Sequence, residues 1–112
     1  MATPATQNLR FVRGDTQDFT ITLTEDGTIP RNLTGCTYRA QIRSSVDASS
    51  IEGEFTCTVS NPVTGVVRLV LSAAASAALP DTVLYWDFEQ TKAGVVTTLI
   101  KGKCTVIGDV TR

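Results

Sequence analysis

The run Phe19-Thr20-Ile21-Thr22-Leu23-Thr24 carries an apolar residue at every second position. The same period returns in Tyr38-Arg39-Ala40-Gln41-Ile42-Arg43 and in Phe55-Thr56-Cys57-Thr58-Val59-Ser60. Successive strand side chains point to opposite faces, so each of these segments has one face to bury and one for water. Extending the same reading outward gives seven strands, at 7–13, 18–24, 36–43, 54–60, 65–71, 83–91 and 95–107. The breaks between them carry turn chemistry in Arg13-Gly14-Asp15, Glu25-Asp26-Gly27, Asn61-Pro62-Val63-Thr64-Gly65 and Lys92-Ala93-Gly94. One segment departs from the pattern. Ser72-Ala73-Ala74-Ala75-Ser76-Ala77-Ala78-Leu79 is rich in the best helix former, opens on a capping serine and stops before Pro80. It predicts a short helical turn between the fifth and sixth strands, with Leu79 plugging the core. The fold class expected is an all-β, seven-stranded, immunoglobulin-like β-sandwich: a flexible N-terminal arm over 1–6, then one domain over 7–112.

The alternation also names the core: Leu9, Phe11, Phe19, Ile21, Leu23, Tyr38, Ala40, Ile42, Phe55, Cys57, Val59, Val67, Leu69, Leu71, Trp86, Phe88, Val96, Ile100 and Cys104. Trp86, the single tryptophan, is in phase with Phe88, which favours a core anchor over a ligand-stacking surface residue. The outward residues of the sixth strand, Asp87 and Glu89, are acidic and those of the third, Arg39 and Arg43, are basic. Neighbouring positions in an immunoglobulin-type order would let them form cross-strand ion pairs worth about 0.2–1 kcal/mol each.

Composition narrows the functional classes. A chain of 112 residues with 42% hydrophobic residues can fill one core without metal or disulfide staples. Ten Lys and Arg against 11 Asp and Glu leave no basic field for a phosphate backbone, so nucleic-acid binding is not expected. No secretory signal pattern and no run of eighteen apolar residues is present, so no membrane partner is expected and synthesis in the cytoplasm is. Cys36, Cys57 and Cys104 are odd in number and widely spaced, which suits reduced core thiols better than a disulfide framework.

Catalytic and cofactor signals are missing. The chain has no histidine, the commonest general base and metal ligand, and its cysteines lack the close spacing of a structural zinc site. Asp15 and Asp18 suggest a carboxylate pair or calcium ligands, but no loop of alternating oxygen ligands surrounds them, and turn-forming Asp explains them better. No catalytic residue, cofactor or metal is expected, and no enzyme activity. Arg13-Gly14-Asp15 matches an integrin-read tripeptide and Asn32-Leu33-Thr34 a glycosylation acceptor. A turn between strands accounts for the first, and without a secretory signal the second is silent.

The order of these pieces resembles a family. Phe11-Val12-Arg13-Gly14-Asp15-Thr16, Phe19-Thr20-Ile21-Thr22-Leu23, Asp26-Gly27 and Asn32-Leu33-Thr34-Gly35 lead into Tyr38-Arg39-Ala40-Gln41-Ile42-Arg43. Later come Gly65-Val66-Val67-Arg68-Leu69-Val70-Leu71-Ser72, the alanine-rich turn, Tyr85-Trp86-Asp87-Phe88-Glu89 and Thr97-Thr98-Leu99-Ile100-Lys101-Gly102. The series is similar to the immunoglobulin-like N-terminal domain of tailed-phage baseplate upper proteins and related small virion proteins. The resemblance implies a virion structural role, made in the host bacterial cytoplasm and exerted through contacts with larger phage virion proteins of tail, baseplate or capsid. A homo-oligomer within the particle is compatible with it. In baseplate upper proteins a receptor-binding or fibre part follows this domain, whereas the sequence here runs to Thr111-Arg112 directly after the last strand. The expectation is therefore a small adaptor or attachment module of the tail or baseplate. A capsid decoration protein is one alternative, and an extracellular adhesion or carbohydrate-binding module a second. The expected partner interface is the outer face of the third, sixth and seventh strands, where Tyr85 and Leu99 sit among Arg39, Arg43, Asp87 and Lys101. An ordinary solvated sheet face with two scattered apolar residues accounts for the same pattern equally well.

Overall fold

A computed structural model describes residues 5–25 and 29–108. The expected turn at Glu25-Asp26-Gly27 falls outside them at Asp26 and Gly27, as do the first four residues of the expected arm. The strands are β1 (Ala5–Thr6), β2 (Leu9–Val12), β3 (Gln17–Thr22), β4 (Cys36–Arg43), β5 (Gly53–Thr58), β6 (Val66–Leu71), β7 (Val83–Lys92) and β8 (Val95–Ile107). The helix α1 (Ala73–Ala77) lies between β6 and β7, and a 3-10 turn over Pro62–Thr64 precedes β6.

The result is an immunoglobulin-like β-sandwich. One layer runs β1/β2–β8–β7–β4, with β1 and β2 both parallel to β8 and the remaining pairs antiparallel. The other runs β6–β3. β5 joins the layers, pairing with β4 over Gly53–Phe55 and with β6 over Thr56–Thr58, so one flank of the sandwich is closed by a strand that changes sheets. Between the layers lie Ala40, Ile42, Leu84, Trp86, Phe88, Cys104 and Val106 on one side and Val67, Leu69 and Leu71 on the other. Phe55 packs edge-on against both Phe19 and Trp86. Leu79 is 1% exposed, its Cδ2 3.2 Å from where a β-carbon on Gly53 would lie.

Two local devices set the ends of this core. Ser72 caps α1, its Oγ accepting from the Ala75 N–H at 3.2 Å, and the helix then buries Ser76 completely. The Ser76 Oγ accepts from the Gly14 N–H at 3.0 Å. Gly14 has φ 91°, the Arg13 N–H donates to the Ile107 carbonyl and the Asp15 N–H to the Val12 carbonyl, so every backbone N–H of Arg13-Gly14-Asp15 is used inside the fold. Asn32 Oδ1 likewise accepts from the Thr34 N–H and hydroxyl, a side-chain turn that tucks Leu33 into the core at 2% exposure.

The structure corrects the sequence reading at four places. The first strand is two, because the ladder to β8 is interrupted at Gln7-Asn8, and Ala5–Thr6, assigned to the arm, form β1. Val96, expected in the core, is 58% exposed. Phe88 pairs with Ile100 but Glu89 with Thr98, so Leu99 is an extra residue opposite none, and this bulge reverses the faces of every β8 residue before it. Leu99 itself, expected on the outer face, packs against the core cluster. Leu33, Leu84 and Val106 are buried although the core reading omitted them.

Candidate functional site: a groove across the outer face

The outer face of β4, β7 and β8 is a grid read directly from strand register. Arg43, Tyr85 and Lys103 form one row across the three strands, Gln41, Asp87 and Lys101 the next, and Arg39, Glu89 and Thr98 the third. The first two rows and Thr98 floor a groove of about 630 Å3. One wall is the N-terminal segment at Thr6 and Asn8, and the other is the loop after β4 at Ser45 and Val46. Val46 is 81% exposed, an apolar side chain held at the rim.

Of the six expected interface residues, four line the groove: Arg43, Tyr85, Asp87 and Lys101. Arg39 lies beyond it, and its guanidinium Nε sits 3.5 Å from Glu54 on β5. Leu99 is withdrawn by the bulge. Arg43 serves the wall, donating to the Ala48 carbonyl at 2.8 Å and to Gln41 Oε1 at 3.0 Å, and so fastens the loop to the sheet. β4 and β7 are neighbours, as expected. The arginines' hydrogen bonds and close ion contact nevertheless go to Glu54, Gln41 and Ala48, not to Asp87 and Glu89. Asp87 sits above its ordinary carboxyl pKa: partial burial raises it, the Glu89 charge adds to this, and Arg43 opposes both. With Arg43, Lys101 and Lys103 against Asp87 alone, the groove is cationic.

The far wall depends on a close backbone approach. A β-carbon on Gly102 would lie 2.8 Å from the Gln7 carbonyl carbon, so only glycine lets the chain cross there. The Gln7 N–H donates to the Lys101 carbonyl, and the Gln7 carbonyl accepts from the Trp86 indole N–H at 2.8 Å. Asn8 Oδ1 replaces a strand partner by accepting from the Lys103 N–H. Trp86 is the anchor expected of it, at 3% exposure. Sequence reasoning did not reach Gln7, Asn8 or Lys103, although a glycine inside the strand pattern at 102 is the signal that marks such a crossing.

Cys36, Cys57 and Cys104 are free thiols, as expected, with Cys36 and Cys57 half-buried and Cys104 buried. Burial, with a smaller contribution from Glu54, pushes Cys57 up to about 11, and burial pushes Cys104 up to about 12, the opposite of what a nucleophilic thiol requires. Among the described residues no cluster of three metal-ligating side chains occurs, and no helix is long and apolar enough to cross a membrane. Asp18 is held by Arg68 through two hydrogen bonds, one of 2.9 Å, which keeps its carboxyl below the usual range.

Comparison with known proteins gives a likeness of fold. No protein-family model and no curated sequence matches the chain. The N-terminal domain of phage TP901-1 ORF48 superposes with a TM-score of 0.55 at 16% identity, covering 94% of this chain and 90% of that one. The N-terminal Ig1-2 module of the Drosophila receptor protein tyrosine phosphatase DLAR aligns at 14% identity and a TM-score of 0.43, over 99% of this chain and 49% of that one. The extracellular fragment of novel immune-type receptor 11 from Ictalurus punctatus aligns at 9% identity and 0.35, over 100% and 90%. These last two are too distant in geometry to weigh.

Proposed function

We propose that the chain is a structural protein of a phage virion, a small adaptor or attachment module of the tail or baseplate that acts by protein–protein contact and not by catalysis. The observation that carries this reading is the end-to-end correspondence with a phage domain, 94% of one chain on 90% of the other, so the likeness covers a whole module. The groove supports it: an aromatic floor at Tyr85, an exposed apolar rim at Val46 and cations at Lys101 and Lys103 combine the residue types that protein contacts favour. Its partner is a larger virion protein presenting an acidic segment, and its location is the assembled particle. No nucleic acid, membrane or cofactor enters the mechanism.

The test is mass spectrometry of purified particles separated into heads and tails. The protein is expected in the tail fraction; recovery with heads would favour capsid decoration, and absence from particles despite expression during infection would refute the virion role. Tyr85→Glu and Lys101→Glu, both on the outer face, are expected to lower occupancy at least tenfold while leaving the melting temperature within a few degrees. Unchanged occupancy in both variants moves the contact away from the groove.

A further inference from the structure

The two flanks of the sandwich differ. On one, β5 passes from layer to layer and closes the core. On the other, the layers end in β2 and β3. β2 is short and takes its ladder from β8, whereas β3 pairs along one side only, with β6, among the described residues. Its inward residues show the consequence: Phe19 and Ile21 pack against the core yet remain half-exposed, while Val67 and Leu69 beside them on β6 are fully buried.

Edge strands are usually guarded by proline, lysine, a bulge or brevity. β3 has none of these. Gln17-Asp18-Phe19-Thr20-Ile21-Thr22 stays in unbroken register with β6 over six residues, and its one charge, Asp18, is already bound to Arg68.

We propose that β3 pairs antiparallel with β3 of a second copy of this chain, about a two-fold axis at Thr20. In that register Thr20 faces its own counterpart, Phe19 faces Ile21 and Asp18 faces Thr22. Inward residues meet inward residues, so two aromatic–β-branched pairs extend the core across the axis and a Thr–Thr pair crosses it outside, combinations that favour strand pairing. A shift of one residue sets inward side chains against outward ones. The register centred on Phe19 matches faces but sets Gln17 against Ile21 on the apolar side. The two Asp18 carboxylates come to lie four residues apart along the ladder, about 13 Å at strand rise, beyond the screening length of roughly 8–10 Å. The strand is thus complementary to itself, which is what an isologous contact requires. This inference stands apart from the groove and from the virion reading.

The experiment is sedimentation of the full chain over a range of concentrations. A single edge pair buries less than a standard interface of roughly 1,600 Å2, so a reversible dimer in the upper micromolar range is expected. Thr20→Lys, at an exposed position, sets two like charges at the axis and should raise the dissociation constant at least tenfold with the melting curve unchanged. Thr20→Cys brings two Cα atoms to about 4.5–5.5 Å, within disulfide range. It should form a covalent dimer under mild oxidation, whereas Thr56→Cys on β5 should not. A chain that stays monomeric at every concentration overturns the proposal and leaves the edge to a strand from a different protein. So does a dimer that tolerates Thr20→Lys and fails to cross-link in Thr20→Cys.

Discussion

Trp86 joins burial to position. Its ring packs against Phe55 at 6.2 Å between centroids, and its N–H reaches out of the core to the Gln7 carbonyl. Trp86→Ala should cost about 3–5 kcal/mol through lost burial and a residual cavity, a large share of the stability of a domain this size. Trp86→Phe keeps much of the packing but leaves the Gln7 carbonyl without its donor, and about 1–3 kcal/mol should go with it. Urea titration of the two variants separates these contributions, and a Trp86→Phe variant as stable as the parent would mean that the hydrogen bond contributes nothing. Gly102→Ala probes the same crossing from the other side: its β-carbon meets the Gln7 backbone, so faster amide exchange is expected at Gln7 and Lys103. Protection unchanged at both sites would show that the N-terminal segment accommodates the methyl group.

At the scale of elements, α1 acts as a clamp on the turn between β2 and β3. Ser76→Ala removes the acceptor of the Gly14 N–H inside the fold, and a loss of about 1–3 kcal/mol is expected, again by urea titration. A variant as stable as the parent would show that water satisfies Gly14. This helix was legible in the sequence from its serine cap and its proline stop, and β4, β6, β7 and β8 from alternation and turn residues. The clamp itself was not, since Ser76 looks like one more small helical residue until the Gly14 turn is brought above it. The bulge was equally hidden. Thr97, Thr98, Leu99 and Ile100 alternate no worse than their neighbours, and only pairing with β7 shows that Leu99 is supernumerary. That one insertion accounts for both errors on β8: it turned Val96 to solvent and drew Leu99 out of the candidate interface. Of that interface, the grid at Arg43, Tyr85, Asp87 and Lys101 followed from periodicity, whereas the wall at Gln7-Asn8 depends on a contact between segments far apart in sequence, where Gly102 marks the place of a crossing but not which segment crosses.

The molecule as a whole should respond to alkali through its thiols. Cys57 and Cys104 have folded-state pKa values of about 11 and about 12 against an ordinary 9.0, so the folded chain holds protons that the unfolded chain releases. Their contribution to stability is complete below pH 9 and is lost as pH rises through the folded values. Thermal melts between pH 8 and 11 should fall in the parent, and less steeply in Cys104→Ala compared at each pH with its own pH 8 value. Identical slopes would assign the loss to other groups.

The parallel pairing of β2 with β8 also determines how the domain meets mechanical load. Because the strands run side by side in the same direction, tension applied at the two ends of the chain draws β2 one way and β8 the other along their shared ladder. The bonds from Leu9–Cys104 to Val12–Ile107 are then loaded together in shear instead of being peeled one at a time. Resistance to pulling is set by the height of the unfolding barrier and not by equilibrium stability. A module of modest thermodynamic stability with this geometry would hold its shape under a transient tug along its length and yield readily to a force applied across it.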